Sequence, residues 1–324
     1  MNYRHAFHAG NFADVHKHGA LLQLLKLMTA DAEPLDVIET HAGAGRYDLT
    51  EVPAERTGEA AAGVARLRDA EDAPEALKPL AAAVARANPG GELKTYPGSP
   101  ALISRALRPQ DRYVACEIRE DDHAALKKLL LARANAEAVL GDGWKEAVGR
   151  IKRGRRTLIL VDPPFEFGGD GERAARLVRD ALRVESGTVV AVWLPIKDLE
   201  GFDAFVRALE AVEPPPTLIS EARLRPLDDP MRMNGSAMVV VNAPDGLAAP
   251  LEAIGRFVGE RLGEEGEGSG RLWRVGAPRP APEKPAEAKG PRKPVKRKPG
   301  PRTPGAPNAG GAPARPRAPR PRSD

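Results

Sequence analysis

Cysteine is almost absent. Cys116 is the single one in 324 residues, so no internal disulfide can form, and a reducing compartment, the cytoplasm, is expected. Long apolar runs are missing as well. No stretch of about 18 apolar residues occurs, which excludes an ordinary transmembrane helix and any expected role for a membrane. The segment 1–10 lacks a basic region followed by an apolar one, so it does not read as a signal peptide. There is no internal repeat. Hydrophobic residues still make up 42% of the chain, enough for a core over most of its length.

The net charge of +4 hides an asymmetry. From Gly276 to Asp324 there are 13 Lys and Arg against 3 Asp and Glu; residues 1–275 hold 36 basic and 42 acidic residues. The tail is Pro-, Ala-, Gly-, Lys- and Arg-rich with almost no large apolar side chains. It cannot bury enough surface to offset chain ordering and is expected to be disordered. A basic tail attracts phosphate backbones without reading sequence, or serves as a solubilising linker. The expected domains are therefore a folded body, 1–275, and a disordered tail, 276–324.

In the body, β-branched apolar runs alternate with helical stretches, the pattern of an α/β sheet. Asp14 is expected to cap a helix reaching Met28, with Leu21, Leu24, Leu25 and Met28 on one face. Strands are predicted at Leu35–Glu39, Val114–Ile118, Ala138–Leu140, Thr157–Val161 and Thr188–Leu194. Thr217–Leu224 and Ala237–Val241 form a closing pair. The gap after the first strand far exceeds a simple strand–helix–strand unit of about 30 residues. A helical insertion at about 50–95 is predicted there, with Pro79 starting or kinking one helix.

Four segments carry chemistry. Glu39-Thr40-His41-Ala42-Gly43-Ala44-Gly45 follows a strand, where glycines let a ligand approach the backbone; an ordinary tight turn has the same pattern. Glu117 ends a strand and can accept hydrogen bonds from two ribose hydroxyls, or be a solvated charge. Gly141-Asp142-Gly143-Trp144 follows the next strand. Asp142 is placed to accept from an adenine amino group and Gly143 to permit close approach, or Asp142 caps a helix. The strongest is Asp162-Pro163-Pro164-Phe165, directly after the buried run Leu158–Val161. Two prolines remove two backbone donors and stiffen the turn. A conjugated amine is a poor nucleophile. Accepting its two N–H bonds, one by Asp162 and one by the Pro163 carbonyl, aims its lone pair at a methyl donor, and Asp162 can take the released proton. Phe165 is expected to stack on the base. This chemistry points to an S-adenosylmethionine (SAM)-dependent amino-methyltransferase.

His5, His8, His16, His18 and His41 are five of the six histidines. Without a partner cysteine or an H-E-x-x-H pattern, no metal is expected. With Tyr3, Arg4 and Lys17, the N-terminal segment suits a nucleotide or phosphate, and it is expected to fold back over the cofactor beside His41.

Over about residues 1–275 the chain resembles the RlmJ family of bacterial methyltransferases, which act on adenine N6 in 23S ribosomal RNA at an adenine-2030-type site. The resemblance lies in Tyr3-Arg4-His5-Ala6-Phe7-His8-Ala9-Gly10-Asn11 with Ala13-Asp14 and Lys17-His18. It continues through Thr40–Tyr47, Glu55-Arg56-Thr57-Gly58-Glu59, Tyr96-Pro97-Gly98-Ser99-Pro100 and Asp162-Pro163-Pro164. It implies a Rossmann-like methyltransferase fold with a mixed seven-stranded sheet, six strands parallel and an antiparallel one next to the last. It implies SAM contacts from His18, His41, Ser99, Glu117, Asp142, Gly143 and the catalytic Asp162, and an RNA contact from Tyr3. Phe165 stands where the family commonly has Tyr, which keeps stacking and loses a hydroxyl. The basic tail is an addition to the family pattern and is taken as non-catalytic.

The expected partner is 23S ribosomal RNA, met by a monomer. The acidic body disfavours broad duplex binding, so recognition is expected to use local RNA shape and a splayed-out base. A DNA adenine methyltransferase shares the Asp-Pro-Pro turn, but no added sequence-reading domain is visible. A non-catalytic RNA-binding assembly protein would rely on the tail. A nicotinamide-dependent oxidoreductase needs a full glycine fingerprint that is missing here.

Overall fold

The computed structural model describes residues 5–50, 58–165, 169–264 and 266–276. Tyr3, Arg4, the stretch 51–57 and the tail 277–324 lie outside them, and with them the expectations placed on Tyr3 and on the tail.

Ten strands form in chain order: β1 Leu35–Glu39, β2 Arg46–Asp48, β3 Thr95–Pro97, β4 Arg112–Glu117, β5 Ala136–Leu140, β6 Arg156–Val161, β7 Val189–Ile196, β8 Thr217–Arg223, β9 Gly235–Val241 and β10 Ser269–Val275. Eight make one sheet in the order β10-β8-β9-β7-β6-β1-β4-β5, while β2 and β3 pair separately. β5, β4, β1, β6 and β7 are mutually parallel. β9 runs antiparallel between β7 and β8. Six strands thus share a direction, as expected. The sheet has eight strands rather than seven, because β10 adds antiparallel to the outside of β8.

The inner parallel strands β4, β1, β6 and β7 are largely buried on both faces, which is why they read as near-continuous apolar runs, whereas β5 at the sheet edge has no buried residue. β1 is buried at all five positions. Successive side chains go to opposite sides: Leu158 and Leu160 join one core, Ile159 and Val161 the other. β10 carries a weaker signal. It is an edge strand with Ser269, Arg271 and Arg274 exposed, and its polar residues hide the alternation. Its attachment is partly ionic: the buried Glu221 of β8 accepts from Trp273 Nε1 at 2.5 Å and Arg271 at 2.7 Å.

The first long helix spans Phe12–Met28, and its cap is Asn11, whose side chain accepts the Asp14 N–H at 3.1 Å. This corrects the expectation for Asp14, which sits inside the first turn with its carboxylate turned inward. Leu21, Leu24, Leu25 and Met28 share one core, as expected, and in addition Ala13–Leu21 are buried without a break. One side packs on the sheet core, with Leu21, Leu24 and Leu25. Another meets the insertion, where Gln23 donates to the Ala76 carbonyl at 2.6 Å. A third meets the helix Ala248–Leu262 near Gly19 and Ile254. The described part of the insertion is helical at 58–69 and 75–87, and Pro79 lies in the first turn of Lys78–Ala87. It builds a third core from Val64, Leu67, Leu77, Leu80, Val84 and Tyr96 against Ile254, Phe257 and Val258. No helix among the described residues is long and apolar enough to cross a membrane.

His16 ties this helix to the sheet. It is fully buried, with Nδ1 2.8 Å from Ser236 Oγ and Nε2 2.9 Å from Ser220 Oγ. Burial pushes it down to about 3 from 6.5, so it is neutral in the folded protein. The unfolded chain binds a proton below about pH 6.5 that the folded chain refuses until about pH 3. Stability from this group is complete above 6.5 and is lost as pH falls toward 3. In urea unfolding between pH 7 and 4, His16→Gln is expected to be less stable than wild type at pH 7. Its decline with acid should be shallower by up to about 1.4 kcal/mol per pH unit. Parallel decline would remove His16 from the acid response.

Candidate active site

β1 lies between β4, which leads outward to β5, and β6, which leads to β7 the other way. This reversal opens a crevice at the carboxyl ends of the strands. A cleft of about 1220 Å³ sits there.

β6 delivers Asp162 to the cleft at the point where the two prolines end the strand. Asp162 is 13% exposed, and Lys17 Nζ from the first long helix lies 2.6 Å from its Oδ2. The same ammonium is 3.0 Å from Asp14 Oδ1, and both Lys17 and Asp14 are almost wholly buried. The turn ends on Phe165, held at φ +48°, a left-handed conformation that costs a bulky residue about 1–2 kcal/mol. Its ring meets Trp193 edge-on at 5.8 Å. Trp193 in turn has Lys17 Nζ 5.7 Å from its ring centre.

The N-terminal wall is organised by Asp14. Its Oδ2 accepts the Gly10 N–H at 2.8 Å and lies 3.1 Å from His5 Nε2. Burial alone would raise this carboxyl, yet His5 and Lys17 hold it well below the usual range. His18 Nδ1 is 2.7 Å from the Tyr96 hydroxyl, while its Nε2 has no hydrogen-bond partner among the described residues. Burial pushes His18 down to about 3 despite the pull of Asp14, so the ring is neutral. Burial also raises Tyr96 well above 10, so its hydroxyl keeps its proton. His18 Nε2 is buried 4.0 Å from Asp14 Oδ1, beyond hydrogen-bond reach.

The opposite wall is the turn after β1. Gly43 and Gly45 take φ of +62° and +77°, which glycine adopts without strain. Backbone bonds fasten this turn on several sides: Thr40 N–H to Leu160 O at 3.0 Å, Ala42 N–H to Cys116 O at 2.9 Å, and Gly98 N–H to Gly45 O at 3.0 Å. Glu117 accepts Gly43 N–H on Oε2 and Arg119 N–H on Oε1, each at 2.8 Å. Burial raises its carboxyl above the ordinary value. The backbone N–H groups of Arg119, Gly43 and Ile118 act on this carboxylate and leave it room for a further donor. Thr40 Oγ1 donates to Leu160 O at 3.2 Å and lies 2.7 Å from His41 Nδ1. His41 therefore donates through Nδ1 and leaves Nε2 as an acceptor. Burial pushes His41 down to about 4. Asp142 caps the helix Gly143–Gly149, accepting the Trp144 N–H at 3.1 Å, so the capping reading holds. A methyl at Gly143 would overlap the Thr40 carbonyl oxygen. The close approach at Gly143 is to the β1 turn itself.

The structure brings His18, His41, Ser99, Glu117, Asp142, Gly143, Asp162, Pro163 and Phe165 to one cleft. Sequence reasoning gave Lys17 a nucleotide or phosphate as its partner rather than Asp162, included Glu39 in the glycine turn without a role of its own, and assigned nothing to Trp193. Glu39 is fully buried at the end of β1, hydrogen-bonded to the Tyr113 hydroxyl and beside Ser99. Burial pushes it up to about 7, against the hydrogen bonds from Ser99 and Tyr113. A charged residue within an otherwise buried strand was the available signal for Glu39. For Lys17 the signal was an i,i+3 partner, Asp14, on the helix stretch that is buried from Ala13 to Leu21. No cluster of metal-ligating side chains occurs among the described residues.

The family model described as "Ribosomal RNA large subunit methyltransferase D, RlmJ" matches residues 32–275. Two relatives named ribosomal RNA large subunit methyltransferase J are each 31% identical to the chain. The Haemophilus influenzae protein aligns over 277 residues, 85% of this chain and 98% of the relative. The Escherichia coli K12 protein aligns over 269 residues, 83% and 96% respectively. A crystal structure of a Legionella pneumophila protein superposes with a TM-score of 0.77 at 27% identity, covering 84% of this chain and all of that one.

The contact of Gly143 with Thr40 is backbone against side-chain position, and a carbonyl cannot swing away as a side chain does. Gly143→Ala is expected to lose about 1–3 kcal/mol of stability, read as a lower Tm. An unchanged Tm would mean that the two turns do not abut as described.

Proposed function

The chain belongs to the RlmJ family, and on that premise we propose that it methylates the N6 amine of an adenine in 23S ribosomal RNA, the adenine-2030-type site. The methyl donor is SAM. The observation that carries the reading is Asp162, placed by the Pro-Pro turn at the head of β6 and fixed there by Lys17.

The cleft suits that donor. Its charged lining comprises six carboxylates and four cations, a negative excess that favours a sulfonium. His18 lines the same cleft and would meet the amino-acid end of the donor. Glu117 would hold the ribose hydroxyls through its remaining acceptor capacity. Asp142 and the backbone at Gly143 would meet the adenine, and His41 and Ser99 would line the space between. The donor supplies a methyl group activated by a positively charged sulfur.

The protein's part is to orient the amine. Lys17 engages Oδ2 of Asp162 and leaves Oδ1 to accept one N6–H. The Pro163 carbonyl accepts the other, since proline geometry turns it out of the sheet. Together they aim the nitrogen lone pair at the donor. Asp162 also stands where it receives the proton that nitrogen loses. Phe165 stacks on the base, and its missing hydroxyl leaves orientation of the amine to Asp162 and Pro163. Tyr3 would add an RNA contact. A ribosomal RNA substrate supports a cytoplasmic location.

Asp162→Asn is expected to reduce methyl transfer to deproteinised 23S RNA by about 100-fold or more while still binding SAM in a titration. Full turnover by this variant would overturn the assignment. Mass-spectrometric mapping of N6-methyladenosine should show one ribosomal RNA site that appears only when the protein is present. Preference for DNA over RNA in a labelled-SAM competition would overturn the substrate.

A further inference from the structure

Beyond Asp162 the cleft opens onto a rim that the donor does not need. Trp193, Pro195, Lys197, Met231 and Met233 line it. Met231 is 90% exposed, more than any other large apolar side chain described. It sits on the loop between β8 and β9, at the tip of a tight turn. There Asp229 Oδ1 accepts its N–H at 3.0 Å, and the Asp229 carbonyl accepts the Arg232 N–H at 3.2 Å.

The loop is stiff at its base. Asn234 is fully buried, and its side-chain amide donates to the carbonyls of Lys197 and Asp229, both at 2.7 Å. Its backbone N–H reaches Ile196 O and its carbonyl accepts from Leu224 N–H, both at 2.8 Å. Arg225 donates to Met233 O at 3.2 Å and pairs with Glu264 at 2.6 Å. The loop is therefore fastened to the end of β7, the strand that also carries Trp193. A large apolar side chain is held out into water, on a fixed mount, beside the place where a base must enter. Folding gains nothing from it there.

Resting on the adenine-N6 reading, we infer that Met231 is a wedge that enters the RNA stack as the target adenine leaves it. An enzyme acting on a base must take it out of the stack, at a cost of a few kcal/mol. Apolar side chains inserted between base steps offset such a cost. Methionine is unbranched and polarizable and adapts to an irregular gap. The exposed Lys197 stands beside the wedge on the same rim, placed for a flanking phosphate.

The wedge matters only when a base has to be extruded. The test uses two synthetic stem-loops that carry the mapped adenine, one with it paired to uridine and one with it opposite an abasic position. Met231→Ala is expected to lower kcat/KM on the paired RNA by about tenfold or more, and on the abasic RNA by less than about threefold. Met231→Leu should restore most of the paired rate. With 2-aminopurine at the target, wild type should brighten the probe and Met231→Ala should not. Equal losses on both RNAs, or no loss on the paired one, overturn the wedge while leaving the methyltransferase reading intact. Methylation of neither RNA by wild type overturns the reading itself and the wedge with it.

Discussion

One buried ammonium joins the two halves of this molecule. Lys17 sits between Asp14 on its own helix and Asp162 at the end of β6, at 3.0 and 2.6 Å. Taking each such ion out of water costs several kcal/mol, and an apolar substitute of similar volume is often as stable. The arrangement is therefore poor value as a stability device and good as a positioning one. It holds in place the Asp162 carboxylate that we propose orients the substrate amine. It also obliges the N-terminal helix to lie deep in the fold along Ala13–Leu21, because its ammonium must reach the sheet's carboxyl edge.

Much of the architecture follows from a simple rule, that strands covered on both faces are apolar throughout. β1 was legible to the residue for that reason, and β4 to β9 to within two residues at either end. β10 was not, because an edge strand stitched on by Glu221, Arg271 and Trp273 shows little apolar patterning. The cap of the first long helix was misread because Asp14 is as good a capping residue as Asn11. Only the demand of Lys17 and His5 for a buried counter-charge turns it inward. The site itself was legible where local sequence fixes it, as in the glycine turn after β1 and the Pro-Pro turn after β6. The Lys17–Asp162 pair spans 145 positions, and no local pattern announces such a contact. Trp193 was hidden for the opposite reason, since an aromatic in an apolar strand reads as core.

Several cleft residues carry two duties at once. Glu117 holds the glycine turn through Gly43 and the start of the next helix through Arg119, and still has room for a further donor. Asp142 is both a helix cap and a cleft carboxylate. Thr40 ties β1 to β6 and sets the proton position on His41. Such sharing makes the cofactor wall rigid before any ligand arrives, so little ordering cost remains for binding. It also means that a lost function in a variant at these positions is not by itself proof of a ligand contact.

The abutment of Gly143 on Thr40 reaches beyond rigidity. The tips of two loops that arise 100 positions apart in the chain occupy a single shared volume, and Leu160 is hydrogen-bonded into the same knot. A change in one is tolerated only with a compensating change in another. The glycine turn, Gly143 and the end of β6 therefore have to be redesigned together, whereas the loop of Met231, fastened to β7 through Asn234, can be altered without disturbing that wall.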